Sequence, residues 1–210
     1  MNADMTIDRR TVLTGLAASA VALVMPRMAF ADAVSRAQQH VSAASAELSS
    51  LVNSGKSGSS LYREFQRIMS KYADMPVVAA SCLGRDWRSA SSSQKKAYVN
   101  AFQGYLAAKY GRQFGDFTNA TIQMEGGREV KDKKGRSAGV EVFTTVVRPG
   151  QENIGVNWQI SERSGSPKAV NLIIEGVSLL SNERQEIGAM LDAQGGSIDG
   201  LIQQLQSRAA

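Results

Sequence analysis

The chain has 210 residues, of which 43% are hydrophobic and 20% are charged, a composition that is typical of one globular domain and excludes collagen-like, disordered and coiled-coil proteins. A single cysteine and a single histidine exclude an internal disulfide, a Cys/His zinc site and a Ser-His-Asp triad in a folded cleft. The net charge of +5 comes from charges scattered singly along the chain, so we expect no nucleic-acid partner.

The first 31 residues have the pattern of an export signal. Arg9 and Arg10 precede an apolar run from Val12 to Met25, and Ala29-Phe30-Ala31 matches an Ala-x-Ala cleavage site. Fourteen helical residues span about 21 Å, too little for a hydrocarbon core of roughly 30 Å. The paired arginines are typical of a twin-arginine signal, with a Sec signal as the alternative. We expect cleavage near Ala31, a single mature domain of residues 32–210 and a periplasmic location.

Helical periodicity dominates the first half of the mature chain. A recurrence of apolar residues predicts a helix over residues 32–52, and the spacing from Leu61 to Tyr72 predicts a second helix. Asp74 as N-cap and Gly84 as terminator bound a short third helix. A capping box formed by Ser91 and Gln94 opens a fourth.

After Gly115 the apolar period changes to two residues, which indicates strands. Alternation predicts about four strands, near residues 120–124, 140–146, 154–160 and 170–174, with a turn at Gly126-Gly127 and a charged hairpin loop over 131–139. Beyond Glu175 the helical period returns in two helices. The pattern predicts an α+β fold in which a curved antiparallel sheet of about four strands is wrapped by N- and C-terminal helices.

The residues themselves leave two kinds of chemistry open. A carboxylate can act as a general base without histidine, and the candidates are Asp74, Asp86, Asp116, Glu141 and Glu175. The apolar side chains of a curved sheet can also line a cavity for a large apolar ligand, although periodicity does not distinguish a cavity from a solid core. We expect His40 to be a solvated helix residue and Cys82 to be a small buried hydrophobe. No metal ligands, cofactor or catalytic residues are identified.

Several segments together resemble one family. "LGRDWR" from Leu83 to Arg88, "IEGVSLL" from Ile174, Arg184 and a closing "IDGLIQQL" from Ile198 resemble the MlaC family of periplasmic phospholipid-binding proteins, also called toluene-tolerance proteins. The resemblance covers the chain from about Leu61 to Leu205.

Three positions depart from the family pattern. Pro167, Asn171 and Glu183 stand where the family usually has Trp, Asp and an aromatic residue. Related branches are associated with hopanoid gene clusters. Both a glycerophospholipid and a hopanoid therefore remain open as the ligand.

The resemblance implies a lipid shuttle and not an enzyme. Its partners would be an inner-membrane ABC transporter with an MCE-domain protein and an outer-membrane lipoprotein complex. Separately, the sequence has no heptad run or large apolar stretch that argues for a dimer, so we expect a monomer. A small cone-shaped enzyme using one carboxylate and a solid-core interaction module are the alternatives.

The resemblance also implies an apolar cavity between sheet and helices. Its expected lining is Val142, Val146, Val156, Trp158, Ile160, Leu172 and Ile174 on the sheet and Val77, Val78, Trp87, Tyr98, Phe102, Tyr105 and Leu106 on the helices. The lipid head group should stay at the mouth in water, since an unpartnered buried phosphate is costly, with Arg85, Arg88 and Lys168 as expected neighbours.

Overall fold

The computed structural model describes residues 25–209, with side chains from Asp32 onward. The predicted export signal lies outside the described residues, apart from its last seven positions, which form the beginning of the first helix. In chain order the elements are α1 Met25–Val52, α2 Gly58–Tyr72, α3 Met75–Leu83, α4 Asp86–Ser89, α5 Ser92–Gly111, a 3-10 helix Phe114–Phe117, β1 Thr121–Lys131, β2 Ser137–Val147, β3 Ile154–Ser161, β4 Lys168–Ile174, β5 Val177–Ser178, α6 Leu179–Ala193 and α7 Ile198–Ala209.

The helix boundaries that were predicted from caps are confirmed. Asp74 Oδ1 accepts a hydrogen bond from the Val77 N–H (3.3 Å) at the start of α3, and Gly84 ends this helix with a φ of 68°. The capping box of Ser91 and Gln94 forms both of its hydrogen bonds at the start of α5. Helix α4 and the 3-10 helix were not predicted, because four residues are too few to show a period.

The sheet is antiparallel and its five strands lie in chain order, β1-β2-β3-β4-β5. The α+β prediction is confirmed, and the strand missing from the predicted four is β5, which has two residues. The hairpin loop predicted over 131–139 is too long, because β1 extends to Lys131 and β2 begins at Ser137.

The turn predicted at Gly126-Gly127 is wrong. Both glycines lie inside β1, where the register with β2 shifts between Met124 and Gly126 and the φ of Gly126 is 140°. A positive φ occurs both in β-bulges and in turns, so a glycine in the sequence does not distinguish one from the other. At Gly127 a Cβ would lie 3.2 Å from Cγ1 of Val34 on α1. The missing side chain therefore allows α1 to approach the sheet closely.

The two faces of the sheet differ in chemistry. On the inner face, which α1 covers, cross-strand neighbours are apolar, as in the row Val142, Trp158 and Leu172. On the outer face the neighbouring row consists of Glu141, Gln159 and Asn171. Asn171 hydrogen-bonds Gln159 and Ser178, which ties β4 to the start of α6.

The buried apolar residues form a sheet cluster and a helical cluster. The sheet cluster joins α1 and α2 to the inner face and contains Ala37, Val41, Ala44, Leu51, Leu61, Ile68, Tyr72, Val140, Val142, Val146, Val156, Trp158, Ile160 and Ala169. The helical cluster joins α3, α5, α6 and α7 and contains Met75, Ala79, Cys82, Leu83, Tyr98, Ala101, Phe102, Tyr105, Leu106, Ile187, Met190, Leu191, Leu201, Ile202 and Leu205. The helical cluster thus combines residues that precede the sheet with residues that follow it.

Candidate functional site

Helix α1 packs across the inner face of the sheet, and the middle of the helix makes this contact through small side chains of its own. Ala37, Val41 and Ala44 are 0–1% exposed and pack against the strands. Small side chains bring the helix backbone near the strands, and Gly127 provides the matching gap on β1. The apolar inner face is therefore covered by an element that buries little side-chain volume of its own.

A first cleft of about 220 Å³ opens on one side of α1, between this helix and the strands β1 and β2. Its α1 wall carries Ser42, Ser45 and Ser49, which recur at helical spacing, and its strand wall includes Ile122 and Met124. The buried hydroxyl of Ser45 has no hydrogen-bond partner among the described residues. This cleft thus places hydroxyl groups opposite apolar side chains.

A second cleft of about 230 Å³ opens on the opposite side of α1, near the start of the helix. Ala37, Val140 and Ile160 form its apolar part. Its remaining lining includes Ser161, Glu162 and Arg163, at and just beyond the end of β3, and the carboxylate of Glu162 is paired with Arg36. An apolar interior beside hydroxyl and charged groups suits an amphipathic ligand.

Polar contacts hold α1 at its margins. Glu47 accepts hydrogen bonds from Arg67 (2.9 Å), from the hydroxyl of Tyr72 (2.8 Å) and from Lys71, all on α2. The hydrogen bond from Lys71 is the largest of the effects that lower the pKa of Glu47 to about 2. Toward the other end of the described part of α1, Arg36 donates two hydrogen bonds of 3.0 Å to Glu162. These ties lie beside the apolar interface and not within it.

His40 departs from the prediction of a solvated residue. Its ring is half-buried, its Nε2 lies 2.8 Å from the carbonyl oxygen of Tyr72, and the two rings meet edge to face at 5.2 Å. The partner lies 32 residues away in the sequence, so the polar residues around His40 did not reveal this contact.

The structure gathers the expected sheet-side lining onto the inner face. Trp158 is 7% exposed and donates from Nε1 to Thr144 Oγ1 at 3.0 Å, and Thr144 in turn donates to the carbonyl of Val156. The other members share this cluster or pack against it, namely Val142, Val146, Val156, Ile160, Leu172 and Ile174.

The expected helix-side lining lies in the other cluster. Tyr98, Phe102, Tyr105 and Leu106 are buried on α5, and Val78 and Trp87 pack against them from α3 and α4, whereas Val77 is exposed. The structure therefore does not bring the two halves of the expected lining to one cavity. Periodicity identified apolar faces, but not which face each would meet.

The expected head-group residues are not brought together either. Arg85 and Arg88 are exposed around α4, beside the helical cluster. Lys168 begins β4 and donates to the backbone carbonyl of Lys71. Arg163, which the sequence analysis missed, lies in the connection between β3 and β4 and lines the second cleft. Its only sequence signal is a basic residue in a Ser- and Gly-rich turn.

The candidate carboxylates do not converge on either cleft. Asp74 caps α3, Asp86 and Asp116 are exposed in short helices, and Glu175 accepts from the Gly155 N–H. Glu141 does point to the outer face, but it is buried there against Arg128 at 2.6 Å. Within residues 25–209 no group of three His, Cys, Asp or Glu side chains could hold a metal ion.

A buried carboxylate lies on α6 at a position where the sequence showed only a departure from the family pattern. Glu183 on α6 is 3% exposed and accepts hydrogen bonds from Lys109 (2.6 Å) and the hydroxyl of Tyr110 (2.5 Å) on α5. Burial alone would lower the pKa of Lys109, but its hydrogen bonds to Glu183 and Glu186 raise it. The group therefore joins α5 to α6 as an ion pair.

Cys82 is a buried hydrophobe, as predicted. It lies in the helical cluster, and burial raises the pKa of its thiol to about 12. Among the helices of the described chain, none has the length and apolar character needed to cross a membrane.

Comparisons with known proteins agree on one family. The sequence model of the family described as MlaC protein matches residues 42–207. The intermembrane phospholipid transport system binding protein MlaC of Haemophilus influenzae is 25% identical over 140 residues, which are 66% of this chain and 64% of that protein. The match thus spans less than two thirds of that relative's length.

A solved structure has the same fold. The phospholipid-binding protein from Ralstonia solanacearum, determined in complex with a phospholipid, superposes with a TM-score of 0.70. The superposition covers 82% of this chain and 96% of that one, at 20% sequence identity. At this identity the likeness establishes the fold.

Proposed function

This chain belongs to the MlaC family, and from that premise we propose that it is a periplasmic carrier that binds a phospholipid by its acyl chains and moves it between membranes. Family membership identifies a lipid-binding carrier and not an enzyme. The observation that carries the proposal is the continuous apolar inner face of the sheet, which lies under a helix of small side chains and is flanked by clefts. The names of the Haemophilus and Ralstonia proteins support the choice of phospholipid.

The energetics of chain burial favour transfer by docking. Each buried CH₂ contributes about 0.8 kcal/mol, so one sixteen-carbon chain contributes on the order of 12 kcal/mol before ordering costs. Spontaneous release into water is then very slow. The carrier would deliver its lipid only in contact with partners, which we propose to be an inner-membrane ABC transporter with its MCE-domain protein and an outer-membrane lipoprotein complex.

The N-terminal sequence supports the proposed periplasmic location. We propose that residues 1–31 direct export, by the twin-arginine or the Sec route, and are removed near Ala31. Residues 32–210 would then form one monomeric lipid-binding domain.

The first test is native mass spectrometry of the protein expressed as the full chain and purified without detergent. We expect one diacyl glycerophospholipid per chain. A hopanoid mass would support the alternative ligand. A folded protein without any lipid would overturn the carrier proposal.

Two neighbouring residues of β4 provide a matched pair for this test. Leu172 and Ile173 are both half-buried, but Leu172 packs with the sheet cluster on the inner face and Ile173 lies on the outer face. We expect Leu172→Asp to lose the lipid and Ile173→Asp to retain it, with circular dichroism as the check that both variants fold. Equal lipid content in the two variants would argue against the inner face as the site.

The head group would lie at the second cleft, near Arg163 and Ser161. An arginine can bind a phosphate through paired N–H groups. We expect Arg163→Ala to weaken binding of anionic phospholipid more than Arg85→Ala or Arg88→Ala, measured by transfer from vesicles at low and moderate salt. The reverse order would favour the residues expected from the sequence.

A further inference from the structure

The covered inner face and the two clefts do not match the size of a phospholipid. Val142 and Val41 are completely buried where α1 meets the sheet, and the clefts beside α1 have volumes of about 220 and 230 Å³. Pockets for drug-sized ligands are typically about 300–1,000 Å³, and a lipid with two long chains is larger than a drug. Neither of these two clefts could hold such a lipid in the described conformation.

Both clefts border the same helix and the same face of the sheet. Thr144 lines the first cleft and Val140 the second, and both side chains belong to the inner face of β2. Helix α1 is what separates them. If α1 moved away, the clefts and the covered strip between them would form one continuous apolar surface.

We propose that the acyl chains occupy the inner face beneath α1 and that α1 is a hinged cover, which must leave the sheet for lipid to be loaded or released. The inference rests on the proposed function and specifies where the lipid lies and which element controls its loading and release. It differs from the cavity expected from the sequence, whose helical lining came from residues of α3, α4 and α5.

Helix α1 is the neighbour of the inner face that can leave at least cost. Its central contacts are made by Ala37, Val41 and Ala44, which bury little apolar area each. Its ion pairs, Arg36 with Glu162 and Glu47 with Arg67 and Lys71, are partly exposed, and exposed ion pairs contribute little to stability. The strands, by contrast, are joined by hydrogen-bonded ladders, and α5 is held by the helical cluster.

The connection between α1 and α2 has the features of a hinge. Gly55 and Gly58 have φ values of 69° and 53°, in the left-handed region that glycine adopts at little cost. Asn53 fixes this end of α1, since its Oδ1 accepts from the Asn119 N–H at 3.0 Å. Rotation about this end would lift the middle of α1 from the sheet while leaving its C-terminus in place.

A reversible cross-link tests the movement. A Cβ at position 127 lies 3.2 Å from Cγ1 of Val34, close to the separation of about 3 Å between a Cβ and the far sulfur of a disulfide. The double variant Val34→Cys/Gly127→Cys would therefore join α1 to β1 when oxidised. Its Cβ at position 127 also comes within 3.2 Å of the Glu141 carbonyl, which a shift of a few tenths of an ångström relieves.

A matched cross-link tests whether a disulfide elsewhere in the protein slows lipid uptake merely by making the protein more rigid. A Cβ at Gly104 on α5 would lie 3.3 Å from Cβ of Ala209 on α7, so Gly104→Cys/Ala209→Cys would join two helices of the other region. The buried Cys82 has a raised thiol pKa, which keeps it out of both reactions.

The readout is uptake of fluorescent phosphatidylethanolamine by delipidated protein from vesicles of phosphatidylethanolamine and phosphatidylglycerol. We expect the oxidised Val34→Cys/Gly127→Cys protein to take up lipid roughly tenfold more slowly than the same protein after reduction, because the loading-competent state is removed. The oxidised Gly104→Cys/Ala209→Cys protein should match its reduced form. Equal uptake by oxidised and reduced Val34→Cys/Gly127→Cys, with the cross-link verified by mass, would overturn the inference and leave the carrier proposal standing. If wild-type protein takes up no lipid, both fall.

Hydrogen exchange of the unaltered chain provides a second measurement that does not depend on the cysteine variants. We expect amides in residues 36–52 to change their protection between lipid-free and phospholipid-loaded protein, while those of α5 stay unchanged. Unchanged protection in α1 would contradict the hinged cover.

Discussion

The sheet cluster and the helical cluster are built from different side chains. In the helical cluster Tyr98, Phe102 and Tyr105 follow one another on α5 with ring centroids 5.8 and 6.5 Å apart, and Leu201 and Leu205 of α7 are completely buried. In the sheet cluster the middle of the covering helix offers Ala37, Val41 and Ala44, with the larger Leu51 only at its C-terminal end, and both described clefts lie beside this helix. Large interlocking side chains make a core that resists rearrangement, whereas small ones make an interface that can separate.

The ionic contacts follow the same division. Glu183 and Lys109 pair inside the helical region, where the Glu183 side chain is 4% exposed. The contacts of α1 through Arg36 and Glu47 lie at the margins and in reach of water. Breaking a buried pair leaves an uncompensated charge, while an exposed pair is replaced by water. The comparison indicates one permanent region and one that can open.

The largest effect is expected from removing a large side chain in the permanent region. Phe102→Ala should lower the free energy of unfolding by about 3–5 kcal/mol, because a completely buried ring is replaced by a cavity. Urea denaturation measures this loss, and native mass spectrometry should find the lipid content per folded molecule unchanged. Phe143→Ala, at a half-buried ring on the outer face, serves as the milder control. Loss of lipid without loss of stability in Phe102→Ala would place the site in the helical cluster.

An intermediate effect is expected from enlarging one buried alanine in each region. Ala44→Leu and Ala79→Leu should each lower the stability of the lipid-free protein by about 1–3 kcal/mol through overpacking. Ala44 lies on the face of α1 that packs against the sheet, so its enlargement should displace the cover and speed lipid uptake, and added phospholipid should restore the melting temperature. Ala79→Leu, within the helical cluster, should show neither effect. Identical behaviour of the two variants would remove the distinction between the regions.

The smallest effect is expected from pH. The pKa of Glu47 is lowered from its ordinary 4.5 to about 2 by its contacts on α2. The ionised carboxylate therefore contributes fully to holding α1 against α2 above pH 4.5, and this contribution is lost as the pH falls toward 2. Lipid uptake from vesicles should therefore rise modestly in this acid range. Glu47→Gln should show the faster uptake already at neutral pH. Glu64→Gln, which removes a partner of Arg67 within α2, is the control and should behave as wild type.

Local interactions account for what the sequence predicted well. The cap of Asp74 and the capping box of Ser91 join residues three positions apart, so their sequence pattern contains the whole interaction. The alternation from Ile154 to Ile160 likewise fixes which side chains share a face of β3. The resemblance to the MlaC family is now established as membership, and it is the basis of the proposed function.

Long-range packing accounts for what the sequence did not predict. Tyr98 and Trp158 are both buried aromatic residues with suitable periodicity, yet they lie in different clusters. The missing side chain of Gly127 makes room for Val34, and the half-buried ring of His40 contacts Tyr72. Neither partner is a neighbour in the sequence. Arg163 is a candidate head-group residue only because it lines the second cleft beside α1.

The order of segments in the helical cluster has a consequence for how the chain folds. Its α5 half is synthesised before the whole sheet, and its α7 half, with Leu201 and Leu205, comes last. Contacts between such distant segments carry a large loop-closure entropy, which slows folding. The chain therefore cannot complete the helical cluster until α7 is available to pack against α5, and the folded protein should unfold in a single cooperative step.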